Sequence, residues 1–224
     1  MIDYQEAWNL QKEIFDLRYK NEVSDVLFLL EHPHTYTLGK VADKNNLISS
    51  SKYLEENKIL VYDIDRGGDI TYHGPGQIVG YPIISLDEWE RDTHKYLRAL
   101  EEVLIRVCTQ FGLSADRNKK HTGVWIENKK IAAIGIKVSR WITMHGFAFN
   151  VNTDLSLFQG IIPCGINDKE VTSLQKELGK KLDLTQIKEM IIKNFIEVFS
   201  YESAKKSYLN EIRSSSISEH NQLV

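Results

Sequence analysis

GVWIENKKIAAIGIKV (123–138) and WITMHGFAFNVN (141–152) read as three β-strands, the first two joined at the polar pair Asn128-Lys129. Strand alternation in the middle one sends Lys130, Ala132, Ile134 and Ile136 to one face, and Ile131, Ala133, Gly135 and Lys137 to the other. Only one of Lys130 and Lys137 can then face a given site. The small side chains at 132, 133 and 135 leave room for an elongated apolar ligand lying against the strand. On local chemistry alone, Lys130 reads first as a solvated hairpin lysine.

Outward from this sheet, VLFLLE (26–31) and ILVYDI (59–64) are short apolar runs suited to buried strands, linked by a polar connection with a short helix near Tyr53. Ala7, Leu10, Ile14 and Leu17 recur at helical spacing behind Asp3, a capping residue. A longer apolar stripe, Leu97, Leu100, Leu104, Val107 and Phe111, predicts a helix from Asp92 to Phe111 that stops at Gly112. Cys108 beside it reads as a small buried hydrophobe. A last helix spans about Leu184 to Phe199, and the polar stretch SSSISEHNQLV (214–224) reads as a solvated tail. Strands and helices in mixed order, with no repeat or low-complexity linker, predict one α+β or mixed α/β domain over 1–213.

Composition narrows the function. Of 224 residues, 28 are Lys or Arg against 31 Asp or Glu, so the formal charge of -3 offers no basic field for a nucleic-acid backbone. VLFLL (26–30) is far too short to span a bilayer, which predicts a cytoplasmic protein with no membrane partner. Two cysteines and seven histidines fall in no CxxC or HExxH pattern. HPH at 32–34 could place two imidazoles on one strand face, but it reads as solvated loop, and no metal site is expected.

Two stretches carry candidate chemistry. RGGDITYHGPGQIVGYP (66–82) holds glycines at 67, 68, 74, 76 and 80 with Arg66 and His73. Glycine lets backbone approach a ligand closely, yet the spacing is neither GxGxxG nor GxxxxGK[ST], and a plain turn-rich connection accounts for it equally well. In IIPCGI (161–166), Cys164 lies between Pro163 and Gly165. An ordinary thiol near pKa 8.5 is only a few per cent thiolate at neutral pH, and lowering it by about two units takes roughly 2.7 kcal/mol of preferential thiolate stabilisation. From its neighbours alone, Cys164 reads as a structural cysteine.

Together, RGGDITYHGPGQ (66–77), HTGVWIENKKIAAIGIKVSRWITMHGFAFNVN (121–152) and IIPCGI (161–166) resemble the lipoyl(octanoyl) transferase family, with motifs in family order across most of residues 26–175. The resemblance implies the α+β fold of biotin and lipoate protein ligases, a mixed sheet flanked by helices. It implies a catalytic pair, Cys164 and Lys130 rather than Lys137. It also implies an acyl site lined by Arg66, Gly67, Gly68, Asp69, Ile70, Thr71, Tyr72 and His73, by Ala133, Ile134 and Gly135, and by Gly146, Phe147 and Ala148. The expected reaction moves octanoyl from octanoyl-acyl carrier protein onto Cys164 as a thioester. From there it passes to a lysine of lipoyl domains of 2-oxoacid dehydrogenase complexes or of the glycine cleavage H protein. A thioester donor is already activated, so no ATP, metal or organic cofactor is implied. Backbone amides near Gly165 or in the glycine loop are candidate oxyanion donors, and His73 and His145 are candidates for polar support. Competing readings are an ATP-dependent lipoate ligase, which needs no nucleophilic cysteine, and a non-enzymatic module that captures acylated carriers.

Overall fold

In the computed structural model, residues 1–162 and 170–207 are described, together with the backbone of 222–223. Cys164 and the candidate oxyanion donor Gly165 lie outside the described residues, as does most of the polar tail.

Helix α1 (Tyr4–Tyr19) starts where Asp3 accepts from the amides of Gln5 and Glu6. Strands β1 (Val26–Leu30) and β2 (Thr35–Leu38) follow, then α2 (Ser51–Glu56), β3 (Leu60–Asp63), β4 (Ile70–His73) and β5 (Gln77–Ile83). The short α3 (Leu86–Trp89) precedes α4 (Thr93–Gln110), capped by Asp92 through the amides of His94 and Lys95. Next come β6 (Ala115–Arg117), β7 (Val124–Ile126), β8 (Lys129–Ser139) and β9 (Ile142–Asn150). β10 (Glu170–Val171), α5 (Leu174–Leu178), α6 (Leu184–Phe199), β11 (Ser203–Ala204) and β12 (Gln222–Leu223) complete the described chain.

The larger sheet runs β1-β5-β9-β8-β7-β6, with β10 parallel to the start of β8. A smaller sheet, β3-β2-β4, carries the glycine-rich stretch on β4. Alternation divides the large sheet into two faces. Ile78, Phe147 and Phe149 join α4 and α6 in the main core, while Val79, Tyr81 and Ala148 pack toward Ala7 of α1.

Four expectations need correction. The hairpin turn is Glu127-Asn128, not Asn128-Lys129, with Glu127 in the left-handed region at φ 54°. ILVYDI forms an edge strand, not a buried one: Leu60 is 49% exposed because β3 has a neighbour only in β2. The HPH segment is not solvated loop, since His32 is buried between the Ile2 carbonyl (2.8 Å) and the Tyr81 hydroxyl (2.7 Å).

The fourth concerns β8. Val124 pairs with Ala132 and Trp125 with Lys130, so the register slips by one residue at Ile131, a β-bulge. Ile131 and Ala132 consequently both enter the helix-side core. Lys130 therefore emerges on the same side as Ala133, Gly135 and Lys137, not opposite them. Unbroken alternation would have turned it the other way.

Candidate active site

A cavity of about 540 Å³ lies on the α1 face of the large sheet, roofed by the smaller sheet. Its lining includes Arg66, Gly67, Gly68, Asp69, Ile70, Thr71 and His73 of the glycine-rich stretch. Lys130, Ala133, Ile134 and Gly135 of β8 line it too, as do Gly146, Phe147 and Ala148 of β9. Tyr72 does not line it: strand alternation turns its ring into the smaller core, against Tyr36 and Phe158.

Hydrogen bonds fasten the glycine-rich loop to its surroundings. Arg66, though buried, gives one terminal nitrogen to the Thr37 carbonyl (2.8 Å) and hydroxyl (2.9 Å). Gly67 donates its amide to the Ile136 carbonyl of β8 (2.8 Å). A Cβ at Gly135 would stand 2.8 Å from the Gly67 carbonyl oxygen and 3.1 Å from Arg66 Cδ, so only glycine permits this approach. Asp69 accepts from the Asn46 side-chain amide (2.6 Å), and Asn46 accepts the Ile162 amide through its carbonyl (2.8 Å). The loop is thus tied to the segment that leads into residue 163.

A second chain of bonds reaches Lys130. His73 donates from Nδ1 to Gln77 Oε1 (2.9 Å), Gln77 donates to Asn150 Oδ1 (3.0 Å), and Asn150 donates to the Thr172 carbonyl (3.0 Å). Thr172 gives its amide to the Lys130 carbonyl (2.9 Å), directly after β10 has paired Val171 with Lys130. Phe158 and Val171, from the described chain on either side of residues 163–169, both line the cavity. Lys130 is 9% exposed, with its ammonium 4.8 Å above the centre of the Trp125 ring. Lys137 is held differently, in an ion pair with Asp65 (2.6 Å).

Asp65 also receives the other sequence candidate, His145, whose Nε2 lies 2.8 Å from its second oxygen. That bond, with Lys137 adding to it, holds the Asp65 carboxyl well below its ordinary range. His145 is 1% exposed, and burial lowers its pKa despite the carboxylate, so it donates to Asp65 as the neutral imidazole. Its backbone sits at φ 58°, a conformation costing a non-glycine residue about 1–2 kcal/mol. β5 and β9 pair only from Gln77↔Asn150 to Gly80↔Phe147, and the His145 amide donates instead to the buried side chain of Gln11 (2.8 Å). Strain of this kind collects at functional sites because the surroundings must impose it.

Sequence reading missed several walls of the cavity. Tyr4, Gln77, Val79, Tyr81, Leu97 and Asn150 line it. Leu97 belongs to the apolar stripe of α4, and the buried face of α1 carries Gln11 and Arg18 beside Ala7 and Ile14. Gln11 meets the His145 amide, 134 positions away, and Arg18 meets Glu88 of α3 as well as the nearer Asn21 and Asp25, so apolar periodicity does not signal them. Among the described residues, no cluster of three His, Cys, Asp or Glu side chains could hold a metal ion, and no helix is long and apolar enough to cross a membrane.

Residues 3–196 match the family described as lipoyl protein ligase A/B catalytic domain. An octanoyltransferase from Christiangramia forsetii is 49% identical over 89% of this chain and 93% of its own. One from Rubrobacter xylanophilus is 52% identical over 88% of this chain and 90% of its own. Among solved structures, lipoate-protein ligase A bound with ATP superposes with a TM-score of 0.70 at 16% identity, covering 86% of this chain and 81% of that one. The bipartite lipoate protein ligase of Thermoplasma acidophilum reaches 0.71 at 15% identity, over 92% and 85%. These structural likenesses bear on the fold, which is that of the lipoate ligases.

Proposed function

The chain belongs to the lipoyl protein ligase A/B catalytic-domain family, and from that premise we propose that it transfers octanoyl from octanoyl-acyl carrier protein to a lipoyl-domain lysine through a thioester on Cys164. Octanoyl transfer is the activity for which its relatives are named. One observation carries the reading: Lys130 borders the same cavity as the Arg66–His73 loop and as Phe158 and Val171, which lie to either side of the Cys164 segment.

The chemistry follows from the residue types. Beside the Lys130 ammonium, Cys164 attacks as thiolate; its sulfur bonds to the octanoyl carbon and the bond to the carrier sulfur breaks. Lys130 passes a proton to the departing carrier thiolate. In the second half, the neutral ε-amine of the acceptor lysine attacks the Cys164 thioester, Lys130 takes the proton lost from nitrogen, and Cys164 leaves as thiolate. Ala133, Gly135 and Ala148 leave an apolar trough suited to the acyl chain, and residues 1–213 form the catalytic domain.

Incubation with octanoyl-acyl carrier protein alone tests the reading by intact mass. Wild type should gain one octanoyl group under rapid quench, and Cys164→Ala none. No adduct on wild type would sink the thioester mechanism. Product formed from free octanoate and ATP, independently of Cys164, would instead place the chain with the ligases.

The trough makes a further prediction. Gly135→Val forces side-chain carbons onto the Gly67 carbonyl, an overpacking cost of about 1–3 kcal/mol that should slow octanoyl loading by about 10- to 100-fold. Loading rates at saturating donor, with the melting temperature recorded in parallel, check it; unchanged loading would show that the acyl chain does not run past Gly135.

A further inference from the structure

We propose that Trp125 is a positioning residue that aims the Lys130 ammonium into the cavity, an inference that rests on Lys130 being the cation beside Cys164. Trp125 and Lys130 face one another across the β7–β8 hairpin, and the ammonium lies 4.8 Å over the indole ring. Trp125 is only 3% exposed, so the attraction acts in a largely dehydrated setting, where cation–π contacts are strongest.

The negative face of an aromatic ring attracts an ammonium, so the contact orients the Lys130 side chain. A lysine side chain has four rotatable bonds, and a ring beneath it removes many of the conformations that would lead away from the cavity.

The ring is itself fixed. Its N–H donates to the His121 carbonyl (3.3 Å), and His121 with Lys120 and Thr122 forms part of the cavity lining. The amide of Gly123, two residues before Trp125, donates to the fully buried Glu101 of α4 (3.0 Å). Gly123 has φ 128°, and a Cβ there would lie 2.5 Å from the Ala132 carbonyl oxygen and 3.4 Å from Lys130 Cε. Loop, ring and lysine stem are packed as one unit.

The test is the pH dependence of Cys164 alkylation by iodoacetamide, read on the Cys164 peptide of the full chain. Cys108 does not interfere, because burial pushes its thiol up to about 12. Lys130→Met should raise the midpoint toward that of an ordinary thiol. Trp125→Leu should raise it by about half to one pH unit, and Trp125→Phe, which keeps an aromatic face, should lie near wild type. A shape-preserving second measurement replaces the tryptophans with fluorinated analogues, whose faces attract cations less. The midpoint should climb with fluorine count in wild type and stay level in Trp125→Phe. A shift with Lys130→Met but none with Trp125→Leu or fluorination overturns the proposal and leaves the thioester reading standing. Equal impairment in the Leu and Phe variants also overturns it. No shift with Lys130→Met removes the cation assignment and the proposal together.

Discussion

Lys130→Ala is expected to slow octanoyl loading of Cys164 by about a thousandfold, the middle of the range for loss of a positioned acid–base group. Lys137→Ala should stay close to wild type. The contrast is sharper than two lysines on one strand suggest, because the bulge at Ile131 puts both on the cavity side. What separates them is place. Lys130 lines the cavity next to β10, whereas Lys137 lies outside the lining, paired with Asp65 (2.6 Å), whose other carboxylate oxygen meets His145. Loading rates from rapid-quench mass spectrometry decide between them. Loss of activity in Lys137→Ala with retention in Lys130→Ala would mean that the wrong cation has been assigned.

Acidification should unfold this protein early. His32, His73 and His145 are all buried, and burial lowers all three pKa values, His32 to about 4. A base with a lowered folded-state pKa is protonated first in the unfolded chain. Its effect is absent above pH 6.5, and stability falls as pH drops from there toward the folded-state value. Each histidine can withdraw up to about 1.4 kcal/mol per pH unit in that window, and His32 alone about 3 kcal/mol by pH 4. Asp65 acts in a lower window: its depressed pKa stabilises the fold above about pH 4 and is lost as pH falls further. Denaturant titrations at pH 7.5, 6 and 5 should show a clear drop below 6.5, reduced in His32→Gln. A flat profile across that range would contradict burial of the neutral rings.

The residues of the cavity were legible unequally in the sequence. Strands and helices that depend on local periodicity, such as α4 and β9, fall within a residue or two of their expected bounds. The glycine loop and the Ala133–Gly135 segment were found by motif, and the structure brings them to one cavity. The phase of Lys130 was not legible, because alternation presumes an unbroken ladder and a single unpaired residue reverses it. Nor was the burial of His32, whose partners lie 30 and 49 positions away. The exposure of β3 depends on which strands flank it, a question of long-range order on which ILVYDI is silent.

The bulge at Ile131 also changes what counts as a conservative alteration in this protein. Where a side chain's direction follows from counting residues along a ladder, exchanging one apolar residue for another leaves the lysine where it is. Straightening the ladder at unchanged length, by sliding β7 one residue along β8, would rotate Lys130 onto the helix side, into a packed core that has no place for a charge. The hairpin therefore tolerates changes of letter so long as the slip at Ile131 is kept.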